Sequence, residues 1–304
     1  MKEVRLMIRL EKINKSFQHS HILKDMSLDV PKGSIYGLVG TNGAGKTTII
    51  KHITGILKPD SGSLTIGGSP VFENTAVKSR IGYISDDLYF FATYSLKEMA
   101  RFYKKMYPGW NQERYQNLLH TFKLDEKSRL GRFSKGMQKQ AAFVLVMSTM
   151  PDYLILDEPL DGLDPIARKV VWKHIVEDVA ERETTVLVSS HNLRDLEGIC
   201  DRIGIIADGH MVIERDLDDL KSDIHKLQLA YPEGTNPPYD KLQIIFRQKR
   251  GTVELLIVRD NYQHIEEVIG DTKPLIFDVL PLTLEEIFIY ELGGDENDIK
   301  EIIF

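Results

Sequence analysis

The 304-residue sequence contains a single cysteine, Cys200. One thiol cannot form an internal disulfide, which is the pattern expected in a reducing cytosol. Long hydrophobic runs are also missing. The longest nearly unbroken apolar stretch, from Ala141 to Met147, falls far short of the ~20 residues that a membrane-spanning helix needs, so the polypeptide is not expected to cross a membrane by itself. Nor is there an excess of basic charge: 39 Lys and Arg stand against 45 Asp and Glu, a formal charge of −6. That balance carries no overall electrostatic footprint for nucleic acid. The first residues, Met1 to Met7, lack an apolar core, so no secretion signal is expected. The length predicts two domains, or one large domain with an appendage.

What is present is organised around Gly40-Thr41-Asn42-Gly43-Ala44-Gly45-Lys46-Thr47, a full match to G-x-x-x-x-G-K-[ST]. An apolar run, Ser34 to Val39, precedes it as a buried strand, and Thr47 to Ile53 follows as a helix that begins at once. In such a context the glycines let consecutive backbone N–H groups and the helix N-terminus face a phosphate chain. Lys46 is expected against the β- and γ-phosphates, the Thr47 hydroxyl on Mg²⁺ and Thr48 at the α-phosphate.

Taken in order, Met7–Lys12 and Leu23–Val30 read as strands, with Phe17 between them offering a π-surface for a nucleotide base. Ser79 to Asp86 brings a further strand that ends in a carboxylate. Residues from Tyr94 to about Lys127 are helical in pattern and rich in charge, broken by Pro108-Gly109. Ser134 is placed as the N-cap of a helix with apolar positions at Met137, Ala141, Val144 and Leu145. Tyr153 to Leu156 is an apolar strand that ends in Asp157-Glu158, two adjacent acids suited to a metal-and-water site. Asp164 and Pro165 open another helix as N-cap and first helical residue, and the β-branched-rich strand Thr184–Ser190 ends at His191. Strands near helices, with polar residues at the strand ends, describe a nucleotide-binding α/β domain with its chemistry at the carboxyl edge.

Together these segments resemble the ATPase subunit of an ABC transporter, over roughly residues 7–215. The resemblance rests on the order of six features: Phe17, the phosphate loop Gly40–Thr48, the signature-like Phe133-Ser134-Lys135-Gly136-Met137, the acids Asp157-Glu158, the D-loop-like Asp161-Gly162-Leu163-Asp164, and His191. It implies an α/β fold of the P-loop NTPase, ABC ATPase type, spanning residues 1–218 with a helical subdomain at about 87–150. It also implies that Phe17 stacks on adenine, that Asp157 holds Mg²⁺ through water, that Glu158 polarises the attacking water and that His191 senses the γ-phosphate. Ser134, Lys135, Gly136 and Met137 would grip the γ-phosphate of ATP bound to another subunit, with Asp164 touching the partner. One phosphate loop and one signature per chain then require two chains, identical or different, for two complete sites.

The signature departs from the common Leu-Ser-Gly-Gly-Gln, although Ser134 and Gly136 survive. Asp86 stands where the family usually has glutamine; it remains a candidate Mg²⁺ ligand but adds negative charge beside the phosphates. The aromatic-rich stretch Asp87 to Tyr94 falls where the family receives a cytoplasmic helix of the membrane subunit. Beyond Arg215 the resemblance fades. A linking helix at Leu217–Asp223 is expected, then a small α+β accessory domain over 219–304, with strands at His225–Tyr231, Leu242–Phe246, Val253–Val258 and Leu275–Val279 and a final helix capped by Thr283 and Glu286. This appendage and the Ser-Lys-Gly-Met signature resemble ATPases of bacterial ABC-2-type exporters.

The expected function is therefore an ATP-hydrolysing motor at the cytoplasmic face of the cell membrane, using ATP and Mg²⁺. Its partners would be a second ATPase subunit and an integral membrane permease, without nucleic acid. The alternative is a soluble ABC-type ATPase acting on DNA or ribosomes. Such proteins usually carry tandem ATPase cores or a long coiled-coil insertion, and this chain has neither.

Overall fold

The computed structural model describes residues 7–18, 20–91, 93–219, 224–232, 234–235 and 237–292. It divides into two compact units. One contains the chain up to His191 together with Gly198–Glu214, and the other contains Asn192–Glu197 and the chain from Arg215 onward.

The first unit is built on a six-stranded sheet of order β10-β9-β3-β8-β7-β6. Its strands are β3 (Ile35–Val39), β6 (Ile81–Ile84), β7 (Tyr153–Asp157), β8 (Thr185–Ser190), β9 (Arg202–Ala207) and β10 (His210–Asp216). β6, β7, β8, β3 and β9 are parallel in successive pairs. β3, β7 and β8 are buried at every residue. That is why they read as continuous apolar runs without alternation: a parallel sheet is covered on both faces.

A second, antiparallel sheet has the order β2-β1-β4-β5, with β1 at Ile8–Phe17, β2 at Ser20–Val30, β4 at Ser61–Ile66 and β5 at Ser69–Pro70. Here one face is wet: Ile8 and Leu10 of β1 alternate with exposed residues, and a bulge between Leu10 and Ile13 returns Ile13 to the buried face. Helix α1 (Lys46–Ile53) lies between the sheets, packing Ile49, Ile50 and Ile53 into one core with Leu23, Met26, Leu38 and Ile155. After the four-residue α2 (Thr75–Lys78), the helical region comprises α3 (Leu96–Met106), α4 (Gln112–Phe122) and α5 (Lys135–Met147). The Pro108-Gly109 break falls between α3 and α4. α6 (Pro165–Arg182) starts on Asp164, whose side chain accepts from the Ile166 and Ala167 N–H groups at 2.9 and 3.0 Å.

The second unit is a four-stranded antiparallel sheet, order β12-β13-β11-β14, with β11 at Ile224–Ala230, β12 at Ile244–Arg250, β13 at Val253–Arg259 and β14 at Ile276–Leu280. Leu227, Leu229, Leu256 and Val258 form its core with Ile265 and Ile269 of α7 (Tyr262–Gly270). α8 (Leu284–Leu292) follows. The domain boundary expected at 218/219 differs from this division in two ways: the first unit ends a few residues earlier, at Glu214, and Asn192–Glu197 groups with the C-terminal residues. The reason for the second is local bonding. Glu197 accepts from the Leu284 N–H at 3.1 Å, and Arg194 pairs with Glu285 at 3.0 Å. Of the expected linking helix Leu217–Asp223, residues 220–223 lie outside the described residues. Among the described residues no helix is long and apolar enough to cross a membrane.

Candidate active site

Because β3, β6, β7 and β8 are parallel, their carboxyl ends lie on one edge, and the expected site residues are the ones that follow them. Gly43 and Gly45 have φ of +88° and +110°, a region that residues with a Cβ avoid, which is why the loop after β3 takes glycine there. The loop delivers α1, whose first residue is Lys46. Thr41, Asn42, Gly43, Gly45, Lys46, Thr47 and Thr48 line a cavity of about 400 Å³ together with Phe17, Ile22, Asp86 and Glu158. Gly40 and Ala44 support the loop without lining the cavity; a Cβ on Gly40 would lie 2.4 Å from the Ile206 carbonyl oxygen, so the loop can only leave β3 beside β9 with glycine there. Phe17, at the end of β1, is 43% exposed, with the Lys15 ammonium 5.5 Å from its centroid.

The buried Lys46 ammonium donates to the carbonyls of Gly40 at 2.6 Å and Thr41 at 3.3 Å and lies 3.4 Å from Glu158 Oε1. Glu158 has φ of +46°, a conformation that costs a non-glycine residue energy and persists only where its surroundings hold it. Here its N–H donates to Ser189 Oγ at 3.1 Å, and its Oε2 accepts from the His191 N–H at 3.3 Å and from Nδ1 at 2.9 Å. A carboxylate only accepts, so this contact puts the imidazole proton on Nδ1. Lys46, Glu158 and His191, far apart in sequence, are thus joined through one carboxylate.

Asp157 is 1% exposed; its Oδ1 accepts from Ser189 Oγ at 2.6 Å, whereas its Oδ2 is buried with no hydrogen-bond partner among the described residues. A buried carboxylate oxygen without a donor is costly unless a cation or water completes it, and this fits the expected hold on Mg²⁺. The nearby Tyr83 hydroxyl is pushed up to about 12 by burial and by the charge of Asp157. Of the other expected metal ligands, Thr47 and Asp86 both line the cavity. Glu158, Asp161 and His191 also place ligand-type atoms within 4.8 Å of one another, a cluster already accounted for by the Glu158–His191 hydrogen bond.

The signature residues lie apart from this cavity. Ser134 caps α5 by accepting from the Met137 N–H at 3.3 Å, and Ser134, Lys135 and Met137 are exposed. At Gly136 a Cβ would lie 2.7 Å from the Gly162 carbonyl oxygen, so glycine is needed for the signature to meet the D-loop segment. Asp164 is engaged at its own helix start, and the adjacent Ile166 is 76% exposed. Tyr89, Phe91, Tyr94 and Phe102 form an exposed ring cluster with centroid separations of 4.9 to 6.4 Å.

Two residues escaped the sequence reading. Ser189 looks like one more small residue in a β-branched strand, and only strand pairing shows that it bridges Asp157 and Glu158. Lys139 is buried in α5; its ammonium donates to Asp86 Oδ1 at 3.2 Å and to the Glu158 carbonyl at 2.6 Å. A lysine just before the apolar run Ala141–Met147 was the available signal.

A phosphate loop, a strained catalytic-type carboxylate and a strand-end histidine on one edge of a parallel sheet, with a helix-capping signature turned outward, define an ATP-binding cassette. The sequence profile of the family described as ABC transporter matches residues 23–161. The ABC transporter ATP-binding protein YtrB of Bacillus subtilis (strain 168) is 32% identical over 95% of this chain and 99% of its own length. The bacitracin transport ATP-binding protein BcrA of Bacillus licheniformis is 30% identical over 94% of this chain and 97% of its own. A solved ATP binding subunit of an ABC transporter superposes with a TM-score of 0.66 at 29% identity, covering 71% of this chain and 92% of that one. The chain belongs to the ABC transporter ATP-binding proteins, and it is an ATPase.

Proposed function

We propose that this chain pairs head to tail with a second ATPase subunit and drives a separate membrane permease in export, from the cytoplasmic face of the membrane. The observation that carries the reading is the convergence of Lys46, Glu158 and His191 through contacts of 3.4 and 2.9 Å, while Ser134 and Gly136 lie outside that cavity. A nucleotide in the cavity would have Phe17 beside its base and Lys46 on its terminal phosphates. Glu158 would then exchange its contact with Lys46 for a water that it orients and deprotonates, and His191 would hold Glu158 in place. Thr47, Asp86 and Asp157 are the residues to hold Mg²⁺, which when bound neutralises charge on the phosphates. Ser134, Lys135, Gly136 and Met137, at a helix N-terminus, suit an anion supplied by a partner chain, with Asp164 beside the same interface. The exposed aromatic cluster at Tyr89, Phe91, Tyr94 and Phe102 is the surface for the permease. The bacitracin-transport relative favours export of an antibiotic-like compound, and no nucleic acid is required.

The test uses Glu158→Gln, which keeps the side-chain shape and removes the base. Loss of a general base typically costs ~10²–10⁴-fold in rate, so an ATP-dependent dimer should accumulate in sedimentation. Adding Ser134→Ala should dissociate it. Wild-type turnover in Glu158→Gln would remove Glu158 from the chemistry, and a dimer indifferent to Ser134 would refute the paired arrangement.

A further inference from the structure

Asp86 brings a carboxylate into a cavity wall that already carries Glu158 and that is to face a polyphosphate. The Asp86 side chain is 52% exposed, so water screens it in part, yet a bare carboxylate in that wall would still oppose the γ-phosphate. The structure supplies a cation for it. Lys139 is only 9% exposed, and a buried ammonium is tolerated only with partners. It has two: Asp86 Oδ1 at 3.2 Å and the Glu158 carbonyl oxygen at 2.6 Å. Lys139 is carried by α5, the helix that Ser134 caps. One side chain thus connects the signature helix, the loop after β6 and the end of β7. It also lines a second cavity of about 450 Å³, beside Asp86, Lys135, Asp161 and Gly162.

We propose that Lys139 is a positioning residue of the ATPase site: its charge cancels that of Asp86, and its two hydrogen bonds tie Asp86 to the backbone of Glu158, so that a carboxylate serves where a neutral side chain would otherwise be required. The two residues form one functional unit, each shifting the balance of ATP and ADP binding when the other is lost. The inference rests on Asp86 facing the nucleotide, as proposed above.

Equilibrium binding of ATP and of ADP to the full-length chain in EDTA separates this role from catalysis and from metal binding. In Lys139→Gln the uncompensated carboxylate should weaken ATP more than ADP, lowering the ATP-to-ADP affinity ratio roughly threefold, because Asp86 is partly screened by water. Asp86→Gln leaves the cation unpaired and should raise that ratio. The double variant Asp86→Gln with Lys139→Gln should return it toward the wild-type value. The opposite signs of the single variants are a readout that loss of packing alone does not produce. If Lys139→Gln fails to fold, the sign for Asp86→Gln still decides. Single variants that shift the ratio in the same direction, or a double variant worse than both, would overturn the inference. Lys46→Ala is the control: nucleotide binding that survives it would overturn the placement of the pocket and this inference with it, whereas its loss alongside a failed charge cycle would overturn the Lys139 role alone.

Discussion

The two units of this chain each contain a sheet with helices, yet among the described residues the candidate site lies in only one, and strand direction explains the difference. In the first unit β6, β7, β8, β3 and β9 are parallel and point their carboxyl ends to the same edge, so the residues after β3, β6, β7 and β8 meet although they span Gly40 to His191. In the antiparallel sheet of the second unit, successive strand ends fall on opposite edges. β12 and β13 are joined by a hairpin turn at Gly251 and Thr252, and polar groups beside these strands find one another: Glu254 accepts from Tyr239 at 2.9 Å and from Arg247 at 3.1 Å. Parallel strands gather chemistry on one edge, whereas antiparallel strands spend their ends on turns.

Removing the central charge of the first unit should separate the two units most strongly. Lys46 is buried against Glu158 and two carbonyls, and truncating one member of a buried, hydrogen-bonded charge pair typically costs 2–5 kcal/mol. Lys46→Ala should therefore weaken ATP binding by roughly a hundredfold or more and abolish measurable turnover, with the melting of the second unit unchanged. ATPase activity near the wild-type rate would sink the phosphate-loop assignment.

The converse substitution is Leu256→Ala, at a fully buried position in the second unit's core. Leu→Ala in a packed core costs about 2–5 kcal/mol, and here the loss should fall on the C-terminal unit while ATP affinity, measured by titration, stays within about threefold of wild type (0.65 kcal/mol). A loss of nucleotide binding equal to that of Lys46→Ala would show that the site depends on the second unit's fold.

Much of this contrast was legible in the sequence because its signals are local. The phosphate loop and the strand before it are a contiguous motif, the caps Ser134 and Asp164 sit beside the helices they start, and the apolar runs at Ile35–Val39 and Tyr153–Leu156 are the signature of strands buried on both faces. In the second unit β11, β13 and β14 fall within a residue of the expected strands, whereas β12, expected at Leu242–Phe246, runs Ile244–Arg250 because its polar end stays paired with β13 up to the turn. The contacts that escaped are those made between segments distant in the chain. Lys139 meets Asp86 across 53 positions and Ser189 meets Asp157 across 32, and no periodicity records either. Asn192–Glu197 escaped for the same reason, its partners Leu284 and Glu285 lying some ninety positions away.

The smallest expected effect compares the units through one device that both contain. In the first, Ser95 Oγ accepts from the Glu98 N–H at 3.3 Å and Glu98 Oε2 accepts from the Ser95 N–H at 2.7 Å, closing a capping box on α3. In the second, Thr283 Oγ1 accepts from the Glu286 N–H at 3.2 Å and Glu286 Oε2 accepts from the Thr283 N–H at 3.1 Å, closing the same box on α8. Loss of an N-cap hydroxyl costs ~0.5–2 kcal/mol, so Ser95→Ala and Thr283→Ala should be energetically alike. Their thermal signatures should differ, because 1 kcal/mol shifts Tm by roughly 4–8 °C in a domain of 60–100 residues but about 2–4 °C in one of 150–250. Thr283→Ala should produce the larger shift, in the transition of the smaller unit. The backbone N–H of Ser95 holds the Glu98 carboxyl below its usual value of 4.5. A lowered value in the folded state means that this contribution is full above the ordinary glutamate range and fades as the pH falls through the depressed value. Ser95→Ala keeps that N–H but removes the hydroxyl, which donates to Glu98 Oε2 at 2.8 Å and adds to the lowering, so it should cost somewhat less in acid than at pH 7. Calorimetry of both variants at neutral and acid pH is the measurement. A single transition, shifted equally by the two substitutions, would show that the units melt as one and that the division between them is geometric only.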